Sequence, residues 1–229
     1  MTRQNFDLQL AHVKERLVNL AVMVNKLQEQ SVKALADRDE ELARDVIASD
    51  QQINQAQREI EETCLTLIAS QQPVARDLRK ISAALKMVTD MERIGDQAAD
   101  IAEIALLGNA TKADGTLTTR EMSLAAIGMV NDAIDAYVQQ DLALAHKVIA
   151  DDDTVDDLFN KAKQELAIML ISQPGEAECV IDLLMVAKYL ERIADHAVNI
   201  AEWVVFTVTG EYYKDETVQG GTHGPDLHG

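Results

Sequence analysis

Apolar residues recur at alternating spacings of four and three from the start of the chain, at Phe6, Leu10, Val13, Leu17, Leu20, Val24 and Leu27. That period is the seam of a helix packed against other helices, and it continues without Gly or Pro to about Ala36. Asp37 with Glu40 three residues on reads as a capping box, which starts a second helix running to about Ser70. Gln72-Pro73 breaks the pattern, because Pro disfavours helix in the residue before it and is tolerated in a first turn. A third helix follows on the stripe Ala84, Met87, Met91, Ile94, Ala98, Ile101, Ala105, and it ends before LGNATKADGTLTT, a run rich in Gly, Asn and Thr.

The same order then returns. Thr118 with Glu121 predicts the cap of a fourth helix, Asp141 the start of a fifth, and Gln173-Pro174 the entry to a sixth. The stretch ERIGDQAADIAE, Glu92 to Glu103, reappears as ERIADHAVNIAE, Glu191 to Glu202, ninety-nine positions on (191 − 92 = 99), with eight of twelve residues unchanged. Each seam residue of the third helix has its counterpart at that distance, in Leu183, Val186, Leu190, Ile193, Ala197, Ile200 and Val204. Short connections favour antiparallel neighbours, and three seams can close one core. The expectation is an all-α protein of two tandem three-helix bundles related by internal duplication: 1–107, a linker over 108–117, a second bundle over 118–209, and a polar, frayed tail over 210–229 that holds His223 and His228.

Composition agrees with helices and narrows the chemistry. Aliphatic residues and Met dominate a 47% hydrophobic fraction in which aromatics are only 3%, a poor mixture for sheets. A net charge of −18 opposes direct nucleic-acid binding, which needs clustered Lys and Arg. Cys64 and Cys179 both lie in helical patterns without a C-x-x-C pair, so they are expected as buried thiols in a reducing compartment. No apolar signal core and no membrane-length apolar stretch occurs, which points to a cytoplasmic protein.

The repeated phrase carries the candidate chemistry. At 100° per residue, Glu92, Asp96, Asp100 and Glu103 fall within about 80° of one another, backed by Ile94, Ala98, Ile101 and Ala105. In the second copy the edge is Glu191, Asp195, Asn199 and Glu202. The second and fifth helices align separately, VIASDQQIN with VIADDDTVD, and place Asp50 and Asn54 opposite Asp152 and Asp156. Like charges four apart cost an isolated helix roughly 0.2–0.5 kcal/mol per pair. Either solvent and the neighbouring Arg93 and Arg192 compensate the rows, or a divalent or trivalent cation does. Oxygen-only ligation favours Mg, Mn or Fe, with Ca possible and Zn less suited. His196 reads as a surface or packing histidine, and the absence of Glu-x-x-His argues against a ferritin-like di-iron centre. No phosphate loop, nucleophile elbow or activated cysteine is present, so no enzyme activity is expected. Arg76, Arg79 and Lys80 form a basic patch at the start of the third helix, either solvated or able to dock a partner or an anion.

The segments QQPVARDLRKISAALKMVTDMERIGDQAADIAE and YLERIADHAVNIAEWVVFTVTGE resemble the PhoU family of phosphate-signalling regulators, over nearly the whole chain. The resemblance implies metal clusters on the bundle surfaces at Glu92 with Asp96 and at Glu191 with Asp195, with Asp152 and Asp156 as the companion pair of the second half. Asn54 replaces a carboxylate in the first companion pair and Ala194 stands where the first copy has Gly95. It also implies a homodimeric adaptor that couples the phosphate ABC transporter ATPase to a phosphate sensor histidine kinase, touches the membrane only through those partners, restrains phosphate uptake and holds the starvation response off. Two alternatives stand beside it: a carboxylate-bridged iron or manganese protein with a storage or redox role, and a metal-free helical scaffold.

Overall fold

The computed structural model describes residues 3–71, 73–108 and 117–213. Among them are six long helices: α1 (Arg3–Asp37), α2 (Glu40–Gln71), α3 (Ala75–Leu107), α4 (Leu117–Gln139), α5 (Leu142–Ser172) and α6 (Ala177–Thr209), with a short 3-10 turn at Pro174–Glu176. The all-α, duplicated fold is as the periodicity implies. Most of the linker (109–116) and of the tail (214–229), with His223 and His228, lies outside the described residues.

The helix boundaries have identifiable causes, two of which differ from expectation. Asp39, not Asp37, caps α2: its Oδ1 accepts from the Leu42 amide at 2.9 Å, and Arg38 turns the chain at φ 58°. Asp37 is still helical because α1 runs one residue further than its seam. Thr118 does not cap α4 but lies inside it, buried, with its hydroxyl donating to Glu165 of α5 at 2.8 Å. Asp141 caps α5 as expected, accepting from the amides of Ala143 (2.9 Å) and Leu144 (3.1 Å). Gly108 (φ 72°) and Gly210 (φ 87°) end α3 and α6 in the left-handed conformation that glycine adopts without strain.

Helices α1, α2 and α3 pack on one another, as do α4, α5 and α6. The two triplets are joined chiefly by α3 lying along α6, and more lightly by α1 against α4. Their apolar interiors form one continuous core, containing every predicted seam residue of α3 and α6. Cys64 and Cys179 are free and buried within it.

The α3–α6 contact has its own register. Asp90 of α3 meets His196 and Asn199 of α6, and Ala83, Gln97 and Ile104 are buried at heptad spacing from it. The counterparts of these four on α6, ninety-nine residues on, are Asp182, Tyr189, His196 and Trp203, all half-buried. This seam mixes polar and aromatic groups, unlike the aliphatic seams inside each triplet. No helix among the described residues is long and apolar enough to cross a membrane.

Candidate metal centre

In the first half, α2 and α3 bring together three of the predicted residues, Asp50, Glu92 and Asp96. Burial and the nearby Asp96 raise the Asp50 carboxyl above its ordinary range, partly offset by a hydrogen bond that the Asn54 amide donates to its Oδ2 at 2.8 Å. Its other oxygen, Oδ1, is buried without a hydrogen-bond partner. Burial likewise raises Glu92, with Asp96, Asp50 and Glu61 adding repulsion against the pull of Arg93. Arg93 spans the pair on the outside, 3.5 Å from Glu92 and 3.0 Å from Asp96. Gly95 lies where the two helices approach closely: a Cβ there would meet Ile53 at 3.1 Å and Asp50 Oδ1 at 3.6 Å.

In the second half α5 and α6 gather Asp152, Asp156, Glu191 and Asp195. Burial, then Asp195, Asp156, Asp153 and Glu191, push Asp152 up to about 6. Asp195 is raised by burial and then by Glu191 and Asp156, with Lys188 and His196 opposing. Lys188 pairs with Glu191 while lying over the Phe159 ring, 5.4 Å from its centroid.

The outer members of the acidic rows part company with these clusters. Asn199 turns to the other half, donating to Asp90 at 3.1 Å. Asp100 is raised by burial, Glu103 and Asp96 while Arg192 of α6 opposes, so it sits between the first cluster and the inter-half seam. Glu202 is raised by burial and then by Asp90. His196 packs in that seam with Nδ1 3.0 Å from Asp90. Sequence reasoning missed Asp90, because it stands off both the aliphatic seam and the acidic row. Its heptad relation to Ala83, Gln97 and Ile104 was the available signal.

Among the described residues, no three His, Cys, Asp or Glu side chains converge closely enough to share one metal ion. The donor chemistry nonetheless fits a hard cation. Both clusters offer only carboxylate and amide oxygens, the bare Asp50 Oδ1 lacks a donor, and burial with neighbouring carboxylates raises Asp50 and Asp152, a penalty that a cation would offset.

The chain matches the PhoU domain family model twice, over residues 17–105 and 119–204. It is 37% identical to a phosphate-specific transport system accessory protein PhoU homolog of Pseudomonas aeruginosa, covering 90% of this chain and 86% of that protein. The crystal structure of PhoU from Pseudomonas aeruginosa superposes with a TM-score of 0.86 at 36% identity, over 90% of this chain and all (100%) of that one. That of the phosphate transport system regulatory protein PhoU from Streptococcus pneumoniae gives 0.84 at 28% identity, over 91% of this chain and 99% of the other.

Proposed function

Because the chain belongs to the PhoU family, we propose that it is an accessory regulator of a phosphate-specific transport system. The observation that carries this reading is the paired match of both halves to the PhoU domain, within relatives of nearly the same length named as accessory proteins of that system. In the finer form of the proposal, the protein works in the cytoplasm as a homodimer. It docks on the transporter ATPase and on a sensor histidine kinase, restraining uptake and keeping the starvation response off without catalysing a reaction. Asp50, Glu92 and Asp96 in one half, and Asp152, Asp156, Glu191 and Asp195 in the other, would hold Mg, Mn or Fe ions. Such ions supply charge neutralisation that pins α2 to α3 and α5 to α6, stiffening the surfaces on which partners dock. The test is a co-purification assay with the ATPase and the kinase at high and low phosphate, with and without added Mg²⁺ or Mn²⁺. Association with neither partner under any condition overturns the adaptor reading.

A second reading has its own support. Arg93 and Lys188 already reach the acidic rows, and no three donors converge among the described residues. On that reading the protein is a metal-free scaffold whose acidic edges are compensated by side chains and solvent. Stoichiometric metal that raises the unfolding temperature would rule it out.

A further inference from the structure

Two of the cations at the start of α3, exposed Arg76 and half-buried Lys80, border a cleft. The cleft, of about 500 Å³, opens between α1, α3, α4 and α6 and is also lined by Lys14 of α1. That volume lies in the range of sites that hold small organic ligands. In a chain of net charge −18, three cations gathered from two helices against the two carboxylates of Asp7 and Asp77 make a local positive field.

One of the three cations is anchored and two are uncommitted. Lys14 Nζ donates to the Val138 carbonyl at 3.1 Å and lies 5.9 Å from the Tyr137 ring centroid, which fixes its direction. Neither Arg76 nor Lys80 forms an ion pair or side-chain hydrogen bond among the described residues. Arg79, their neighbour, is engaged elsewhere, its guanidinium packed on Gly210 at the end of α6. Duplication supplies an independent comparison: ninety-nine positions on, Arg76 and Lys80 give way to Gly175 and Cys179. The same scaffold position therefore does not need these charges to fold.

The rest of the lining is mixed: half-buried Leu10 and the nearly buried Ala84 and Tyr137 supply a small apolar surface beside Gln140 and Thr207. A free inorganic anion would leave that surface wet. We propose that this cleft binds a phosphate ester, its phosphate held by Lys14, Arg76 and Lys80 and its organic body against Leu10 and the accessible edge of Tyr137. A guanidinium with two ammonium groups suits a doubly charged, three-oxygen acceptor better than a planar carboxylate. The inference stands on the cleft and does not depend on the regulatory reading above.

The test is calorimetric titration of the full chain with ADP, and separately with inorganic phosphate, at low ionic strength in chelator-treated buffer. The expected result is saturable ADP binding, weaker binding of free phosphate, and a loss of about tenfold or more in ADP affinity for Arg76→Gln/Lys80→Gln. Lys14→Gln, on a different helix, serves as the second variant, and circular dichroism confirms that each is folded. Absence of ADP binding overturns the proposal, as does affinity unchanged in both variants. Binding abolished by Glu191→Ala/Asp195→Ala instead would place the anion on the acidic cluster and overturn it equally. Phosphate binding as tight as ADP would remove the role of the apolar wall and reduce the cleft to an inorganic-anion site.

Discussion

Asp90 Oδ1 accepts from Asn199 Nδ2 at 3.1 Å across the two halves, and the positions ninety-nine residues from each partner, Tyr189 and Asp100, face one another in turn. The burial of Tyr189 and then the Asp100 carboxylate raise the Tyr189 hydroxyl above its ordinary range. The nearness of Tyr189 and Asp100 is thus the image of the Asp90–Asn199 hydrogen bond under the internal repeat. Asp90 serves two donors, since His196 Nδ1 is also 3.0 Å from the same oxygen.

Asp90→Ala should therefore leave two half-buried groups without their shared partner. The expected cost is about 1–3 kcal/mol in urea unfolding, with Asp90→Asn milder because its carbonyl still accepts. Hydrogen exchange should speed up in the middle of α3 and α6 before it does in α2 or α5. Uniform acceleration across all six helices would mean that Asp90 supports general stability and not the seam.

Acidity should stabilise the metal-free protein locally through Asp152. Its carboxyl sits at about 6 in the folded chain against an ordinary 3.8, so the folded state holds the proton more tightly. Stability present below about pH 4 is then lost as the pH rises through 6. Asp152→Asn removes that loss. At pH 7.5 in chelator it should gain about 1 kcal/mol, after allowance for the half-exposed side chain, and little at pH 4. A gain of the same size at both pH values would point to packing in place of charge.

Added Mn²⁺ or Mg²⁺ should reverse the sign of that effect. At a hundredfold excess over the dissociation constant the wild type should gain roughly 2.7 kcal/mol, and Glu191→Ala/Asp195→Ala should lose the gain while staying folded. Glu92→Ala/Asp96→Ala should lose less, because the Asn54 amide already occupies one oxygen of Asp50. Equal losses in the two halves would show that the Asn54 substitution is without consequence.

Gly95→Ala sets helix propensity against space. Alanine favours the helix by about 1 kcal/mol, but its Cβ would press on Ile53 at 3.1 and 3.2 Å, and Ile53 is buried. The Cγ2 atom cannot move without its whole side chain turning, so a net loss of about 1 kcal/mol is expected. Thermal unfolding decides it. A more stable variant would show that α2 and α3 separate easily at this level, as the Ala194 of the second half implies they can there.

The helices and their breaks were legible in sequence because they follow one period and one duplication. Capping was less so. Asp37 and Asp39 both precede a helix within reach of its first amides, and only the left-handed turn at Arg38 selects Asp39. Thr118 resembles a cap by residue type, yet Glu165 of another helix takes its hydroxyl, a partner no local pattern contains. The diversion of Asn199 away from the acidic row has the same origin: its neighbour Asp90 lies 109 positions away. Periodicity describes the faces of one helix, whereas the destination of a polar side chain is settled by whichever helix packs against it.

The antiparallel pairing of α3 with α6, in which the Asp90–Asn199 pair has its image in Asp100 and Tyr189 along the same two helices, is the pattern that two identical chains make about a two-fold axis. Placing both copies on one polypeptide replaces a bimolecular encounter with an intramolecular one. Neither copy must then remain self-complementary. Drift in one is tolerated as long as its mate still fits, and Asn54 against Asp156, Gly175 against Arg76 and Tyr189 against Asp90 are places where the two copies have taken separate courses.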